Sequence, residues 1–367
     1  MISKKNKYVK HVLGLLILAS CSTTSENLIT SSDESLPKNY QRDLQDIDAY
    51  NSFFENDLKI IQQIIDNQKL NQSALRDIKV LKKNYQKILN ADKYQIKLNP
   101  RQEYSEELIK LIYQFNLPIN ISWDENKPYA VPKDLFTEKI EGFCSSLYDD
   151  SISSINKEIN KSASSILVIY SDQYLSAVQK IQSDNSKIYT VNYDTSNFQE
   201  FASRVLGTDL SEVRFKKISD LNPNQVMNFN PRSRSDIKQI VMLLRPKEFK
   251  AMIPALRYHG GNKYKYINFV TSLEDLDNSL ELLDYEDSHT PISFLLSRKI
   301  QDEGTISIED YLEYGVLSDW LLDQIFKQAG VQSAKRSGAT GVVFYNQNSC
   351  NRREIPLQRI SSNIFSS

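Results

Sequence analysis

Histidine and cysteine are scarce in this chain, with three of each among 367 residues. Two of the histidines, His259 and His289, lie outside the first 20 residues and are 30 residues apart. The chain contains no His-Glu-x-x-His, Cys-x-x-Cys or Gly-x-Ser-x-Gly pattern. These absences exclude the common zinc-protease, dithiol and serine-hydrolase signatures, and lone histidines do not make a metal site. We therefore expect no catalytic residues, no metal and no cofactor. We expect His289, in a polar stretch, to be solvated.

A long hydrophobic run is also missing near the start of the chain. The apolar stretch at residues 12–18 is far shorter than the roughly 20 residues that span a bilayer. Lysines precede it and Leu18-Ala19-Ser20-Cys21 follows it, which is typical of a bacterial secretory signal.

The Leu-Ala-Ser-Cys ending resembles the lipobox of bacterial lipoproteins. The resemblance implies cleavage after residue 20, acylation of Cys21, for example by palmitate, and a lipid anchor. Ser22 stands where lipoproteins retained in the inner membrane carry aspartate, which implies the outer membrane, facing the periplasm. The alternative is an ordinary cleaved signal with an incidental cysteine.

Charge gives no reason to expect a nucleic-acid partner. Removing residues 1–20 takes away four lysines and no acidic residue, which changes the net charge from −1 to −5. The remaining 347 residues are enough for two domains, or for one large domain with a helical appendage. Residues 21–42 are polar and predict a flexible tether.

Two cysteines remain if Cys21 is acylated. Cys144 and Cys350 could pair in an oxidising compartment, or they could be two separate buried thiols. The sequence leaves both alternatives open.

Residues 43–117 follow the three- and four-residue steps of amphipathic helices and predict a small helical region.

After residue 165 the pattern changes to apolar runs that alternate with helical stretches. The predicted strands are residues 166–170, 187–191, 240–244 and 266–270, and the predicted helices are residues 173–182, 198–206, 247–257 and 308–328. This alternation predicts an α/β fold with a parallel sheet covered by helices on both sides. Residues 341–345 and 355–360 are predicted to pair as a hairpin.

Arginines mark the start of one predicted strand. Arg232, Arg234 and Asp236 precede the strand at residue 240 and could either bind an anion bidentately or form a structural salt bridge. Lys247, Lys250 and Arg257 make the following helix basic. We interpret these five basic residues as a candidate surface for a protein partner.

Several of these segments together resemble the LppC family of lipoproteins, which are penicillin-binding protein activators of the LpoA type. The resembling segments are the helix at residues 198–206 with Leu206-Gly207 and Ser211-Glu212-Val213-Arg214, the Arg232-Ser233-Arg234-Ser235-Asp236-Ile237 run, Ile253-Pro254-Ala255-Leu256, and the end of the chain with Gly338-Ala339-Thr340-Gly341 and Arg352-Arg353-Glu354-Ile355-Pro356. They cover about residues 160–360 in the order that the family shows.

The resemblance implies a fold like the type I periplasmic binding proteins, over residues 118–367, with a shortened first lobe at residues 118–160. It also implies a non-enzymatic role: binding and activating a bifunctional peptidoglycan synthase in cell-wall cross-linking. The alternative is a periplasmic lipoprotein that binds or senses an amino acid or a cell-wall fragment, which requires a cleft with converging polar groups.

Overall fold

A computed structural model gives the fold of this chain. It describes residues 62, 65–66, 72–89, 93–114, 117, 119–182, 187–194, 197–221, 223, 228–260, 263–273, 281–293, 296 and 308–361. The predicted signal, the tether and Cys21 lie outside the described residues, as do most of residues 43–71.

The chain divides into two compact units, which we name separately. The disulfide unit holds the described residues up to Tyr148 together with Leu312–Glu354, and the sheet unit holds Asp149–Tyr311 together with the residues from Ile355 onward. This division does not coincide with the predicted boundary at residue 118, because the chain returns to the disulfide unit near its end.

The helices and strands are named here in chain order. The helices are α1 (Gln72–Leu89), α2 (Ser105–Gln114), α3 (Leu147–Asn160), α4 (Leu175–Gln182), α5 (Phe198–Leu206), α6 (Thr208–Leu221), α7 (Pro246–Gly260), α8 (Leu282–Tyr285) and α9 (Ile308–Gln328). The strands are β1 (Tyr94–Leu98), β2 (Ile119–Trp123), β3 (Ser165–Tyr170), β4 (Ile188–Asn192), β5 (Ile237–Leu243), β6 (Lys265–Asn268), β7 (Ser288–Pro291), β8 (Ser333–Ser337), β9 (Val342–Asn346), β10 (Arg352–Glu354) and β11 (Leu357–Arg359).

The sheet unit is built on a six-stranded sheet in the order β11-β7-β6-β5-β3-β4. Strands β7, β6, β5, β3 and β4 pair in parallel, each with the next. Strand β11 pairs antiparallel with β7 at the edge of the sheet. The middle residues of β3 and β5 are completely buried, because helices cover both faces of a parallel sheet. The predicted α/β class, with a parallel sheet and flanking helices, is confirmed.

Local sequence signals fix the helix that follows β4. The Asn197 side chain accepts a hydrogen bond from the Glu200 backbone N–H at 3.1 Å and so caps the start of α5. Gly207 ends α5 with a φ of 73°, a left-handed conformation that glycine adopts without a steric cost. The bounds of α5 agree with the predicted helix, and a new helix, α6, begins one residue after Gly207.

The end of the chain pairs differently from the predicted hairpin. β9 pairs with β8 and with β10, whereas β11 joins β7 in the sheet unit. Pro356 lies between β10 and β11, and proline has no N–H to donate to a continuous ladder. The hairpin prediction was therefore wrong about the partner of residues 341–345.

The disulfide unit contains a two-stranded parallel sheet, β1 with β2, and β1 lies inside the region that was predicted to be helical. Tyr94, Ile96 and Leu98 are buried while Gln95 and Lys97 are exposed, which is the two-residue period of a strand. The backbone of Gln95 is held on its outer edge by the Gln328 side chain, which donates to its carbonyl at 2.6 Å and accepts from its N–H at 2.8 Å. This amide blocks further pairing at that point.

Cys144 and Cys350 are bonded to each other, with their Cα atoms 4.9 Å apart. The Cys144 backbone N–H donates to the Asn351 carbonyl at 2.9 Å, and the Asn351 N–H donates to the Gly142 carbonyl at 2.8 Å. The buried Asp323 carboxylate accepts from the Asn351 side chain. A Cβ at Gly142 would lie 2.9 Å from an Asp323 oxygen, so the close approach requires glycine.

None of the helices in the described part of the chain combines the length and apolarity that a bilayer span needs.

We expect the Cys144–Cys350 bond to contribute several kcal/mol to the free energy of unfolding. The two cysteines are 206 residues apart, and closing a loop of that size restricts the unfolded chain by about 4–5 kcal/mol. The measurement is denaturant unfolding of the oxidised chain and of a Cys144→Ala, Cys350→Ala variant, both carrying Cys21→Ser. A thiol assay on the oxidised, denatured protein is the control, and two reactive thiols there would contradict the pairing.

Candidate functional site

The strand order of the sheet unit has a topological switch point where β3 and β5 lie side by side. β3 leads to β4 on one side, and the chain then crosses to β5 on the other side. In doubly wound sheets of this order, ligands bind outside the carboxyl ends of the strands at such a switch point. The candidate site is therefore the loops that follow β3, β4 and β5, which we call the carboxyl edge.

Glu248 occupies the centre of the carboxyl edge. Its carboxylate accepts hydrogen bonds from the Ser171 hydroxyl and, at 3.0 Å, from the Arg245 backbone N–H. The Arg245 guanidinium also lies 3.1 Å from Glu248. Glu248 stands in the first turn of α7, where a carboxylate satisfies the free N–H groups and complements the helix dipole. The chain thus supplies its own anion at this helix start.

Two polar atoms, on residues that are adjacent in sequence, have no partner within the described residues. The Asn192 side chain donates to Asp172 at 2.6 Å, but its carbonyl oxygen is buried and unpaired, and so is the Tyr193 hydroxyl. The Tyr193 ring is stacked on Phe198 with centroids 5.0 Å apart. Burial, together with the negative charges of Glu248 and Asp194, raises the pKa of Tyr193. Tyr193 therefore stays protonated at neutral pH and remains a hydrogen-bond donor.

The carboxyl edge can hold a small polar molecule, since the Tyr193 hydroxyl is a buried donor and the Asn192 side-chain oxygen is a buried acceptor, each without a partner among the described residues. The described residues form no group of three metal ligands. The pattern Asn192-Tyr193-Asp194 at the end of a predicted strand was the sequence signal for these side chains, and it was missed.

Arg234 lies at the opposite, amino edge of the sheet and is held on several sides. Its guanidinium donates to both oxygens of Asp236 at 3.1 and 2.6 Å and lies 4.8 Å from the Tyr189 ring centroid. Its backbone N–H donates to the Leu206 carbonyl at 2.8 Å. The hydrogen bonds from Arg234 hold the pKa of Asp236 below its usual value, and the same contact raises the pKa of Arg234. Of the two alternatives for these residues, anion binding or a structural salt bridge, the structure contains the salt bridge between Arg234 and Asp236.

The other predicted partner-binding residues fall into two groups. Lys250 pairs with Glu281, and Arg257 donates to the Glu286 carbonyl while lying 5.8 Å from the Tyr266 ring centroid. Arg232 and Lys247 are exposed and form no ion pair with a described residue. Lys247 and Arg257 are ten residues apart on α7, about 15 Å along its axis. Lys247 and Arg257 therefore lie near opposite ends of α7.

The two histidines lie in ordered parts of the sheet unit. His259 is in the last turn of α7, and its Nδ1 is 3.1 Å from the Thr208 hydroxyl. His289 is on β7 and half-buried, and burial followed by the positive charge of Lys265 lowers its pKa. The expectation that His289 is solvated was wrong, because the polar stretch around it forms a strand of the sheet.

No protein-family model and no curated protein sequence matches this chain. Full-length LpoA from Haemophilus influenzae aligns over 98% of this chain and 74% of that chain, with 12% identity and a TM-score of 0.41. An ABC transporter substrate-binding protein from Desulfitobacterium hafniense, in complex with Leu, covers 84% and 91%, with 10% identity and a TM-score of 0.31. An ABC sugar transporter subunit from Rhodobacter sphaeroides 2.4.1 covers 83% and 94%, with 11% identity and a TM-score of 0.26. Similarity at this level assigns no function to the chain.

We predict that Asp236→Asn lowers the free energy of unfolding at pH 7 by about 0.5 kcal/mol, since the pair with Arg234 is half-exposed and screened by solvent. A lowered folded-state pKa means that the stabilisation is present above the unfolded pKa and is lost as the pH falls through the folded value. The difference between variant and wild type should therefore disappear in strong acid. Urea unfolding across a pH series measures it.

Asp194→Asn is the matched control, because Asp194 makes a single contact with Arg204 at 3.2 Å. If Asp236→Asn lowers the free energy of unfolding by the same amount at pH 7 and in strong acid, the electrostatic explanation is contradicted.

Proposed function

We propose that this chain is an outer-membrane lipoprotein, anchored through Cys21, that binds a bifunctional peptidoglycan synthase (a penicillin-binding protein) and activates its cross-linking reaction. The observation that carries the proposal is the ordered set of segments resembling the LppC family on a chain with a lipobox-like start. The role is regulatory, and the partner is a protein in the periplasm.

The contacts among those segments support the proposal. The Arg234 backbone donates to the end of α5 at Leu206, and the Arg232 N–H donates to the Ser211 hydroxyl at 3.1 Å. The Tyr264 hydroxyl donates to the Arg234 carbonyl at 2.7 Å. Segments that are distant in sequence therefore meet at the amino edge of the sheet, as expected if they are constrained as one structural element.

We further propose that Arg232 and Lys247 provide the charges that the partner contacts first. Both are exposed and have no carboxylate partner among the described residues. Arg234, Lys250 and Arg257 are already bound within the chain, so their charges are partly compensated. These three residues hold the surrounding surface in place, and their side chains contribute less to the association with the partner.

We predict that Arg232→Glu combined with Lys247→Glu weakens synthase binding by roughly tenfold, mainly through slower association, since exposed charges steer encounter. The measurement is a binding titration of the mature chain, carrying Cys21→Ser, against the organism's bifunctional synthases at low and high salt. Lys133→Glu in the disulfide unit is the matched control, because it reverses an exposed charge elsewhere. Unchanged affinity in the double variant would remove these two residues from the interface.

A second candidate function is ligand binding, and the unpaired atoms of Asn192 and Tyr193 favour it. A buried donor or acceptor without a partner costs about 1–3 kcal/mol, and a ligand that pairs with both atoms would recover this. The chemistry fits an amino acid or a cell-wall fragment with an N–H donor and a polar acceptor. Ligand binding at the carboxyl edge and synthase activation are not exclusive.

For this candidate we predict that an amino acid or a soluble peptidoglycan fragment raises the Tm of the wild type, and that Tyr193→Phe reduces the shift. A ligand at 100 times its Kd adds about 2.7 kcal/mol to stability. Without ligand, Tyr193→Phe should be at least as stable as the wild type, since the hydroxyl it removes is buried and unpaired. A thermal-shift screen tests this, and equal shifts in both proteins would exclude Tyr193 as a ligand contact.

A further inference from the structure

Helix α6 packs on the sheet unit through its polar side. Thr208 is buried, and its hydroxyl lies 2.8 Å from the Ser203 hydroxyl. Ser211, Phe215 and Ser219 are half-buried and follow Thr208 on the same side of the helix, at steps of three or four residues. The side of α6 that touches the protein therefore consists of three small hydroxyl residues and one phenylalanine.

The aliphatic residues of α6 lie on the opposite side of the helix, in solvent. Leu210, Val213, Ile218 and Leu221 expose 56, 51, 52 and 80% of their surface. At 100° per residue they fall within an arc of about 140°. A surface helix of a globular protein normally turns its apolar stripe inward, so α6 has the reverse arrangement. Apolar side chains gathered on one exposed face mark an interaction surface.

Basic residues share this exposed side. Arg214 and Lys217 fall inside the same arc, and both are exposed. The acidic residues of the helix fall outside it; they are Asp209, Glu212 and Asp220. We call Leu210, Val213, Arg214, Lys217, Ile218 and Leu221 the α6 face. It is apolar and cationic, whereas the helix as a whole carries both signs of charge.

The composition of the α6 face fits a membrane better than a protein. The cores of protein interfaces are enriched in aromatic residues and depleted of lysine, and binding hot spots contain few leucines and valines. The α6 face has no aromatic residue and has Lys217 among its leucines. Helices that lie in a membrane interface combine leucine or isoleucine with lysine and arginine, whose aliphatic stems lie along the apolar surface while the charges stay in water.

We propose that the α6 face docks on the surface of a membrane that contains anionic phospholipid. The four apolar side chains enter the boundary between headgroups and acyl chains, and Arg214 and Lys217 pair with lipid phosphates. The contact is additional to an acyl anchor at Cys21, and it does not rest on synthase activation. Its effect is to hold the sheet unit against the bilayer in one orientation.

The test is flotation of the whole chain, carrying Cys21→Ser so that no acyl anchor forms, with vesicles of equal parts phosphatidylglycerol and phosphatidylethanolamine. We expect binding that weakens as salt is raised from about 0.05 to about 0.5 M, and little binding to phosphatidylcholine vesicles. Leu210→Gln with Leu221→Gln should weaken binding by about tenfold or more. Val80→Thr with Leu175→Gln is the matched control, since these residues are exposed on other helices.

A local measurement tests whether α6 itself meets the lipid. In a Leu221→Trp variant, tryptophan emission should shift to shorter wavelength when anionic vesicles are added, and brominated lipid should quench it. Circular dichroism of each variant establishes that the fold is retained.

Three results would overturn the proposal. One is the absence of binding to anionic vesicles, and another is equal binding by the Leu210→Gln, Leu221→Gln variant and the wild type. The third is a loss of self-association or of synthase binding in that variant without any vesicle binding, which would assign the α6 face to a protein contact.

Discussion

The burial of β3 and β5 on both faces is the constraint on which the sheet unit depends. Their central residues are Leu167, Val168, Ile240 and Val241, all at most 1% exposed, and each fully buried aliphatic side chain contributes about 1.5–3 kcal/mol. Strands apolar on both faces need a helix layer on each side, which leads to parallel pairing and crossover helices. Once the strands are parallel, all their amino ends meet at one edge and all their carboxyl ends at the other.

The two edges of this sheet differ in how completely their polar groups are paired. At the amino edge, Arg234 is bound by Asp236, by Tyr189 and through its backbone by Leu206. At the carboxyl edge, Glu248 fills the start of α7, while Asn192 and Tyr193 keep one unpaired buried atom each. A guanidinium held on several sides presents a rigid surface suited to a partner, whereas unpaired buried atoms suit a ligand.

Continuous apolar runs and amphipathic helix patterns were readable from the sequence, and features fixed by distant contacts were not. The signals at residues 166–170 and 198–206 were sufficient for β3 and α5. β7 was missed because Ser288 and Thr290 are polar, and their burial depends on hydrogen bonds to Tyr285 and Asn268. β1 was hidden in a helical pattern, and α6 packs by its polar side, which no periodicity rule anticipates. At the amino edge, Arg234 and Asp236 were found, but the sequence could not choose between anion binding and pairing. At the carboxyl edge, Asn192 and Tyr193 were missed.

The most direct test of the account is a transpeptidation assay. Purified bifunctional synthase from the same organism makes peptidoglycan with and without the mature chain carrying Cys21→Ser, and the cross-linked fraction is measured. The account predicts that the cross-linked fraction rises with added chain until it saturates at the concentration where binding saturates. An unchanged fraction with every synthase of the organism, at concentrations where the chain is folded, would contradict the proposed activation.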